Sequence, residues 1–364
     1  MKSPVRTDAQ TLVSLKASKQ LVESFLEDYF SSRTVRAAAV DPSYVRLWQT
    51  FQGLFEAGGK RIRPYAMLLS YQAYSHTTDL TPVVPAAAAQ ELLHLAMLIH
   101  DDIIDRDRVR YGIPNVAGQY DEHYRPVLSQ ADERTHFADS AALLAGDLLL
   151  SDAYELLTRC NVDARLILRA QTILNEAVFT VVGGELLDTE SAFTDRHLLR
   201  PLEVARFKTA SYSFISPLVM GATFAGASED ELVLLSELGN AMGIAYQLQD
   251  DLLGTFGASE VTGKSVVSDL SEDKYTFLVQ LFYERANDGQ KAAYESLAGR
   301  ADLSEEQAGT ARQLLIDTGA KQALEQHIQE FCRSAETAIE RLSAPSEHRA
   351  ALHTLLDACV KRSK

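Results

Sequence analysis

Three cysteines in 364 residues are few, odd in number and in no metal-ligand spacing. A disulfide scaffold is excluded, and a reducing, cytoplasmic compartment is expected for Cys160, Cys332 and Cys359. Uninterrupted apolar runs approaching the roughly eighteen residues of a membrane span are missing, so no span is expected. The opening residues, Met1-Lys2-Ser3-Pro4-Val5-Arg6-Thr7-Asp8, mix charges and lack the apolar stretch of a secretory signal. Cations are in deficit: 35 Lys and Arg stand against 50 Asp and Glu, a net charge of −15. That balance argues against nucleic acid as the main partner. An anionic ligand must therefore meet locally clustered cations, or metal ions held by carboxylates. With 46% hydrophobic and 23% charged residues, the composition is neither that of a disordered chain nor that of a collagen.

Breakers are scarce as well. Ten prolines and nineteen glycines fall mainly between long runs of Ala, Leu, Glu, Gln and Arg, and no run of period-two alternation indicates a sheet. The pattern predicts helices over about 9–31, 43–57, 64–75, 83–104, 138–160, 162–188, 197–209, 212–226, 229–254, 272–287, 305–342 and 347–361. Ala86–Ile99 and Leu238–Leu248 are apolar on most faces, which places them inside a large bundle. No internal repeat and no linker divides the chain. One all-α domain over residues 1–364 is expected, with a long polar connection from Arg106 to His136 as a lid over a site.

The chemistry begins where that lid begins. The segment His94-Leu95-Ala96-Met97-Leu98-Ile99-His100-Asp101-Asp102-Ile103-Ile104-Asp105 is an apolar helix that finishes in three carboxylates. Asp101 and Asp105 are four apart and share a face, with Asp102 about 100° around. A helix C-terminus already carries partial negative charge, so stacked carboxylates there are unfavourable alone. Desolvating them costs several kcal/mol or more, about what a hard divalent cation with oxygen ligands compensates. A second apolar helix ends the same way, at Tyr246-Gln247-Leu248-Gln249-Asp250-Asp251. Cations occur in short separate groups: Gly58-Gly59-Lys60-Arg61-Ile62-Arg63-Pro64, Arg110, Lys208-Thr209, Gly263-Lys264 and Lys274. Carboxylates, cations and an apolar interior are together the needs of metal-assisted departure of a diphosphate.

Taken in order, these motifs resemble the trans-type prenyl diphosphate synthases, the all-α isoprenoid chain-elongating enzymes. The likeness runs over about residues 50–290, and also includes Glu91-Leu92-Leu93-His94, Gly146-Asp147 and Asp273-Lys274. Asp250-Asp251-Leu252-Leu253-Gly254-Thr255-Phe256-Gly257 is similar to a bacterial short-chain branch, of the geranylgeranyl and farnesyl diphosphate synthase kind. The resemblance implies an isoprenoid-synthase bundle around an apolar cavity, a homodimer, and Mg²⁺ as cofactor, three ions with substrate bound. It implies that Asp101, Asp105 and Asp250 bind the metal with support from Asp102 and Asp251. Arg110, Lys208 and Lys264 would hold the allylic diphosphate, with Lys274 close by. Lys60, Arg63 and His94 would hold isopentenyl diphosphate, and Thr209 and Gln247 would line the cavity where the allylic cation forms.

Three positions depart from the family. Arg110 is followed by Tyr111 where a second arginine is usual, and a neutral phenol cannot replace a bidentate charge. Gly254 stands where many members have a third aspartate, and Glu185 where glutamine is usual. Two other readings share part of the pattern. A class I terpene cyclase would need a second metal motif with Ser or Thr and Glu, which Asp250-Asp251-Leu252-Leu253-Gly254 does not supply. A non-catalytic subunit of a heteromeric synthase would account for Tyr111 and Gly254.

The first aspartate helix also predicts a product of about twenty carbons. An isoprene unit matches about one turn at 1.5 Å per residue. The floor of the cavity is then set by Met97, Ala96 and Leu93, the residues four, five and eight before Asp101. Ala96 leaves space and Met97 yields, so growth passes fifteen carbons, and Leu93 is the next stop. Ala96→Phe is expected to shorten the product and Leu93→Ala to lengthen it. Unchanged chain lengths from both variants, read by chromatography of the released alcohols, would remove this helix as the ruler.

Overall fold

Serine, threonine, aspartate and asparagine open many of the helices, their side chains accepting from backbone N–H groups left over in the first turn. The computed structural model describes residues 12–257, 270, 274–300 and 302–360. Gly263, Lys264 and Asp273 of the sequence motifs lie outside the described residues. Helix α1 (Leu15–Ala38) is capped by Ser14, and α2 (Pro42–Ala57) by Asp41 with proline in its first turn. Helix α3 (Ile62–Ser75) follows Arg61, and α4 (Val84–Ile104) follows a short 3₁₀ turn at Thr81–Val83.

The expected polar lid is in fact mostly regular structure. A hairpin of β1 (Val109–Arg110) and β2 (Ile113–Pro114) leads into α5 (Val116–Tyr124), capped by Asn115, and α6 begins already at Ala131 and runs to Leu157. Charge on the exposed faces of α5 and early α6 hides their helical period, while Arg134 reaches Asp121 at 2.8 Å to tie the two together. This hairpin is the one departure from the all-α expectation among the described residues.

Helix α7 spans Ala164–Glu190. The break expected near residues 210–211 is absent: α8 (Pro201–Val204) continues through a π-helical stretch, Ala205–Ile215, into α9 (Ser216–Phe224). Helix α10 is Glu229–Phe256. Then come α11 (Phe277–Arg285), α12 (Asp288–Glu295), α13 (Glu305–Asp317), α14 (Ala320–Arg341) and α15 (Ser346–Val360). The single helix expected over 305–342 is divided, because Gly319 adopts a left-handed φ of 74° between α13 and α14. Ser304 and Gln307 form the capping box that starts α13.

Contacts group the chain into two compact units, each assembled from separated stretches. In the unit built from residues up to 173, 217–232 and 343–351, α4 packs against α1, α3 and α6. Leu92, Leu93 and Ile99 of α4 are fully buried, each worth roughly 1.5–3 kcal/mol of burial. In the unit built from 174–216, 233–342 and 352 onward, the core gathers Leu248, Leu278, Phe282, Leu315 and Leu324. Among the described residues, two helices are apolar and long enough to cross a membrane by length and composition. The one at Thr81–Ile104 is 78% buried as a core helix, whereas Ala164–Phe193 is only 22% buried.

At the start of α15, His348 is 2% exposed and neither ring nitrogen has a hydrogen-bond partner among the described residues. Burial pushes its pKa below the usual imidazole value, and the charge of His76 adds to that against the opposing pull of Glu347. Below about pH 6.5 the unfolded chain therefore takes up a proton that the folded chain refuses, and stability falls with pH. His348→Leu is expected to lose less thermal stability than the wild type between pH 7.5 and pH 5. Equal losses in parallel calorimetric scans would show that His348 does not set this slope.

Candidate active site

Asp105 ends α4: its N–H donates to the Asp101 carbonyl at 2.8 Å, and Arg106 then takes a left-handed φ of 59°. The chain turns back through the β1–β2 hairpin, whose two central residues, Tyr111 and Gly112, both have positive φ (55° and 78°). Tight hairpins favour that geometry because it matches the strand twist. Its consequence is to lay Arg110 over the helix end. The guanidinium donates from Nε to Asp102 Oδ1 at 2.7 Å and from Nη2 to Asp101 Oδ2 at 3.1 Å. Asp102 is 3% exposed. Burial pushes its pKa up to about 6, although Arg110 pulls the other way.

Beside this lies a cationic loop in the same unit. Gly59 (φ 113°) and Arg61 (φ 55°) turn the chain tightly between α2 and α3. Arg61 belongs to a cationic group that the sequence links to a diphosphate, although no individual substrate contact is assigned to it, and its guanidinium is committed to the protein. It donates to Glu91 at 2.8 Å, to Glu23 at 3.1 Å and to the Phe55 carbonyl, and lies over the Phe55 ring at 3.9 Å. Lys60 is exposed on that pinned loop, with Arg63 half-buried one turn further on. Tyr111 packs its ring so close to Gly58 that a Cβ there would lie 2.9 Å from it. His94 is held well below the usual imidazole pKa by burial and by the positive charges of Arg63, Arg110 and Arg61. At neutral pH it offers hydrogen bonds and no charge. Deeper along α4, Leu93 and Ala96 are fully buried, and Met97 is partly open.

The other compact unit holds the second group of residues. Lys208 and Thr209 lie on the π-helical stretch, which is pressed by glycines of α7 and α10. A Cβ on Gly184 would stand 2.3 Å from Lys208 N, and one on Gly243 would stand 2.3 Å from Ala210 Cα. Thr209 Oγ1 donates to Gln247 Oε1 at 2.6 Å, and Gln247 Nε2 donates to Asp251 Oδ1 at 2.9 Å. Asp250 precedes Asp251 on α10. Lys208 Nζ sits 2.7 Å from Asp188 and 3.0 Å from Glu185, and Lys274 lies 3.7 Å from Asp188. Burial would raise the Asp188 pKa, but Lys274 and Lys208 outweigh it and hold the carboxyl below the usual range. Asp188, Lys208, Thr209, Gln247, Asp251 and Lys274 all border a cavity of about 290 Å³ that Leu187, Leu198 and Val204 also line. Asp188 carries no role in the sequence motifs above. Its three-residue spacing from Glu185 was the available signal.

Among the described residues no group of three or more His, Cys, Asp or Glu side chains stands together at metal-ligating spacing. At the end of α4, Arg110 bonds to both Asp101 and Asp102. The donor set nevertheless suits a hard cation: Asp101 and Asp102 are adjacent carboxylates, one part-buried and one buried.

The sequence profile of the family described as Polyprenyl synthetase matches residues 45–315. The chain belongs to that family. It is 32% identical to a geranylgeranyl diphosphate synthase of Methanosarcina mazei, over 75% of this chain and 77% of the relative. A geranylfarnesyl diphosphate synthase of Aeropyrum pernix is 31% identical over 85% and 92%. Among solved structures, geranylgeranyl pyrophosphate synthase from Corynebacterium glutamicum, complexed with isoprenyl diphosphate and magnesium, superimposes with a TM-score of 0.88. That likeness covers 96% of this chain and 100% of the other at 30% identity. The all-α isoprenyl synthase fold and the enzyme class, a trans-prenyl diphosphate synthase, follow from these likenesses.

Within that class Tyr111 has a specific consequence. Arg61, its cationic neighbour across Gly58, is committed to Glu91 and Glu23 and cannot substitute for a missing arginine. Tyr111→Arg is expected to lower KM for isopentenyl diphosphate several-fold and leave that of the allylic substrate nearly untouched. Steady-state kinetics with each substrate varied in turn checks this, and two unchanged constants would refute it.

Proposed function

We propose that the chain condenses isopentenyl diphosphate with an allylic prenyl diphosphate to give a trans product of about twenty carbons, geranylgeranyl diphosphate. The observation that carries this reading is the end of α4, where a 3%-exposed Asp102 and its neighbour Asp101 are gathered around a single guanidinium. Such a site is built to exchange cations.

Mg²⁺ fits these oxygen donors, and Asp101, Asp102 and Asp105 on α4 with Asp250 and Asp251 on α10 are the carboxylates assigned to it, for three ions with substrate bound. When bound, the metal would neutralise charge on the departing diphosphate. The residues of the chain do the rest. Lys208 and Lys274, with Arg110 and Lys264, are assigned to the allylic diphosphate. Lys60 and Arg63 present charge to isopentenyl diphosphate, while neutral His94 adds a hydrogen bond that does not titrate near pH 7. Thr209 and Gln247 are fixed by their bonds to one another and to Asp251, so their dipoles are oriented before an allylic cation forms. The released diphosphate itself accepts the eliminated proton, so no side-chain base is needed.

A homodimer is part of the same reading. Leu168, Phe179, Val182 and Leu186 of α7 are 64%, 75%, 55% and 58% exposed at helical spacing. An apolar stripe of that kind is covered most simply by the same stripe of a second copy. A reducing, cytoplasmic location, read from the few and oddly numbered cysteines, belongs to the same proposal. The whole chain is read as one catalytic domain. The matched family and relatives are synthases, which favours this reading over a terpene cyclase.

Purified chain supplied with Mg²⁺, isopentenyl diphosphate and each of the five-, ten- and fifteen-carbon allylic starters is expected to release the twenty-carbon product and to sediment as a dimer. Chelation should abolish turnover, added Mg²⁺ should restore it, and Asp101→Ala or Asp250→Ala should reduce it by orders of magnitude. Silence with every starter would favour a non-catalytic subunit. Hydrocarbon from an allylic diphosphate alone would mean a cyclase.

A further inference from the structure

Lys208 meets two carboxylates where one would fix it. Glu185 and Asp188 are three residues apart on α7 and therefore share a face. Both reach the same ammonium, Glu185 at 3.0 Å and Asp188 at 2.7 Å, and the three side chains are about four-fifths buried (exposures of 20%, 17% and 21%). Asp188 is also the partner of Lys274 at 3.7 Å, so it ties both lysines to α7. Two carboxylates thus face two ammonium groups. A neutral side chain at 185 would remove one negative charge from beside Lys208, which lines the cavity. Glu185 is thus dispensable for placing Lys208 and decisive for the charge that Lys208 presents.

We propose that Glu185 acts through Lys208 as a resident counter-anion, competing with an incoming diphosphate and setting how loosely the cavity holds one. The inference rests on the reading of Lys208 as a diphosphate contact. An anion reaching Lys208 must displace the Glu185 carboxylate or share the lysine with it at close range. Like charges a few ångströms apart in a part-buried site interact strongly enough to change affinity by about tenfold. The effect is on ground-state binding: it raises KM for the allylic diphosphate and eases release of the inorganic diphosphate formed in each turnover.

The test is calorimetric titration of inorganic diphosphate, without metal, into the wild type, Glu185→Gln, Glu185→Asp and Lys208→Ala. Glutamine keeps an oxygen that can accept from Lys208, so it removes the charge and preserves the shape. Glu185→Gln is expected to bind diphosphate about tenfold more tightly, and Glu185→Asp to stay within about threefold of the wild type. In turnover, Glu185→Gln should show a lower KM for the allylic substrate, stronger inhibition by added diphosphate and an unchanged KM for isopentenyl diphosphate. Unchanged or weaker diphosphate binding by Glu185→Gln, with binding lost in Lys208→Ala, would overturn the role of Glu185 alone. Full binding by Lys208→Ala would overturn the assignment of Lys208 and the proposal with it.

Discussion

A carboxylate removed from water at the negative end of a helix stays ionised only against a cation, and Asp102 is in that position. Much of the local architecture serves this requirement. The left-handed turn at Arg106, the short hairpin and its two positive-φ residues return the chain so that Arg110 lands on Asp102 and Asp101. The same logic recurs around Asp188, which is part-buried and is matched by Lys208 and Lys274. Each group of site residues therefore comes with its countercharges installed. Ligand binding becomes an exchange of ionic partners inside a preformed arrangement, and little reorganisation remains for the moment of reaction.

The carboxylate helix ends were legible in the sequence because their information is local. An apolar run that finishes in Asp101, Asp102 and Asp105 contradicts the helix dipole, and such a contradiction is visible one turn at a time. The pairing of Arg61 with Glu91 was not, since thirty positions separate two residues whose charges look solvated when read in isolation. The segment from Arg106 to His136 misleads for a related reason. Its glycines and prolines mark real turns, but the charges between them belong to exposed helix faces tied across space, as Arg134 is to Asp121. Gly319 shows the reverse: one residue divides a helical pattern whose amphipathic period runs on unbroken across it.

The departures from the family pattern separate in the same way. Tyr111 and Glu185 are single-letter differences in a motif, and only the structure shows what each touches. Tyr111 lies against the backbone of the cationic loop, whereas Glu185 takes a share of a lysine that Asp188 already holds. The first alters which donors are available, and the second alters the field they produce.

The wide helical stretch at Ala205–Ile215 imposes a rule of length. A π turn accommodates more residues than an α turn, so it acts as an insertion that the surrounding helix absorbs without a loop. Removing one residue upstream of Lys208 would let the stretch relax toward α geometry and turn the side chains that follow within it by about 100°, while α9 keeps its register. Thr209 would then leave Gln247, and Ala210 would no longer face Gly243. Substitutions here are local events, but the number of residues between Pro201 and Ser216 cannot change without dismantling the cavity wall.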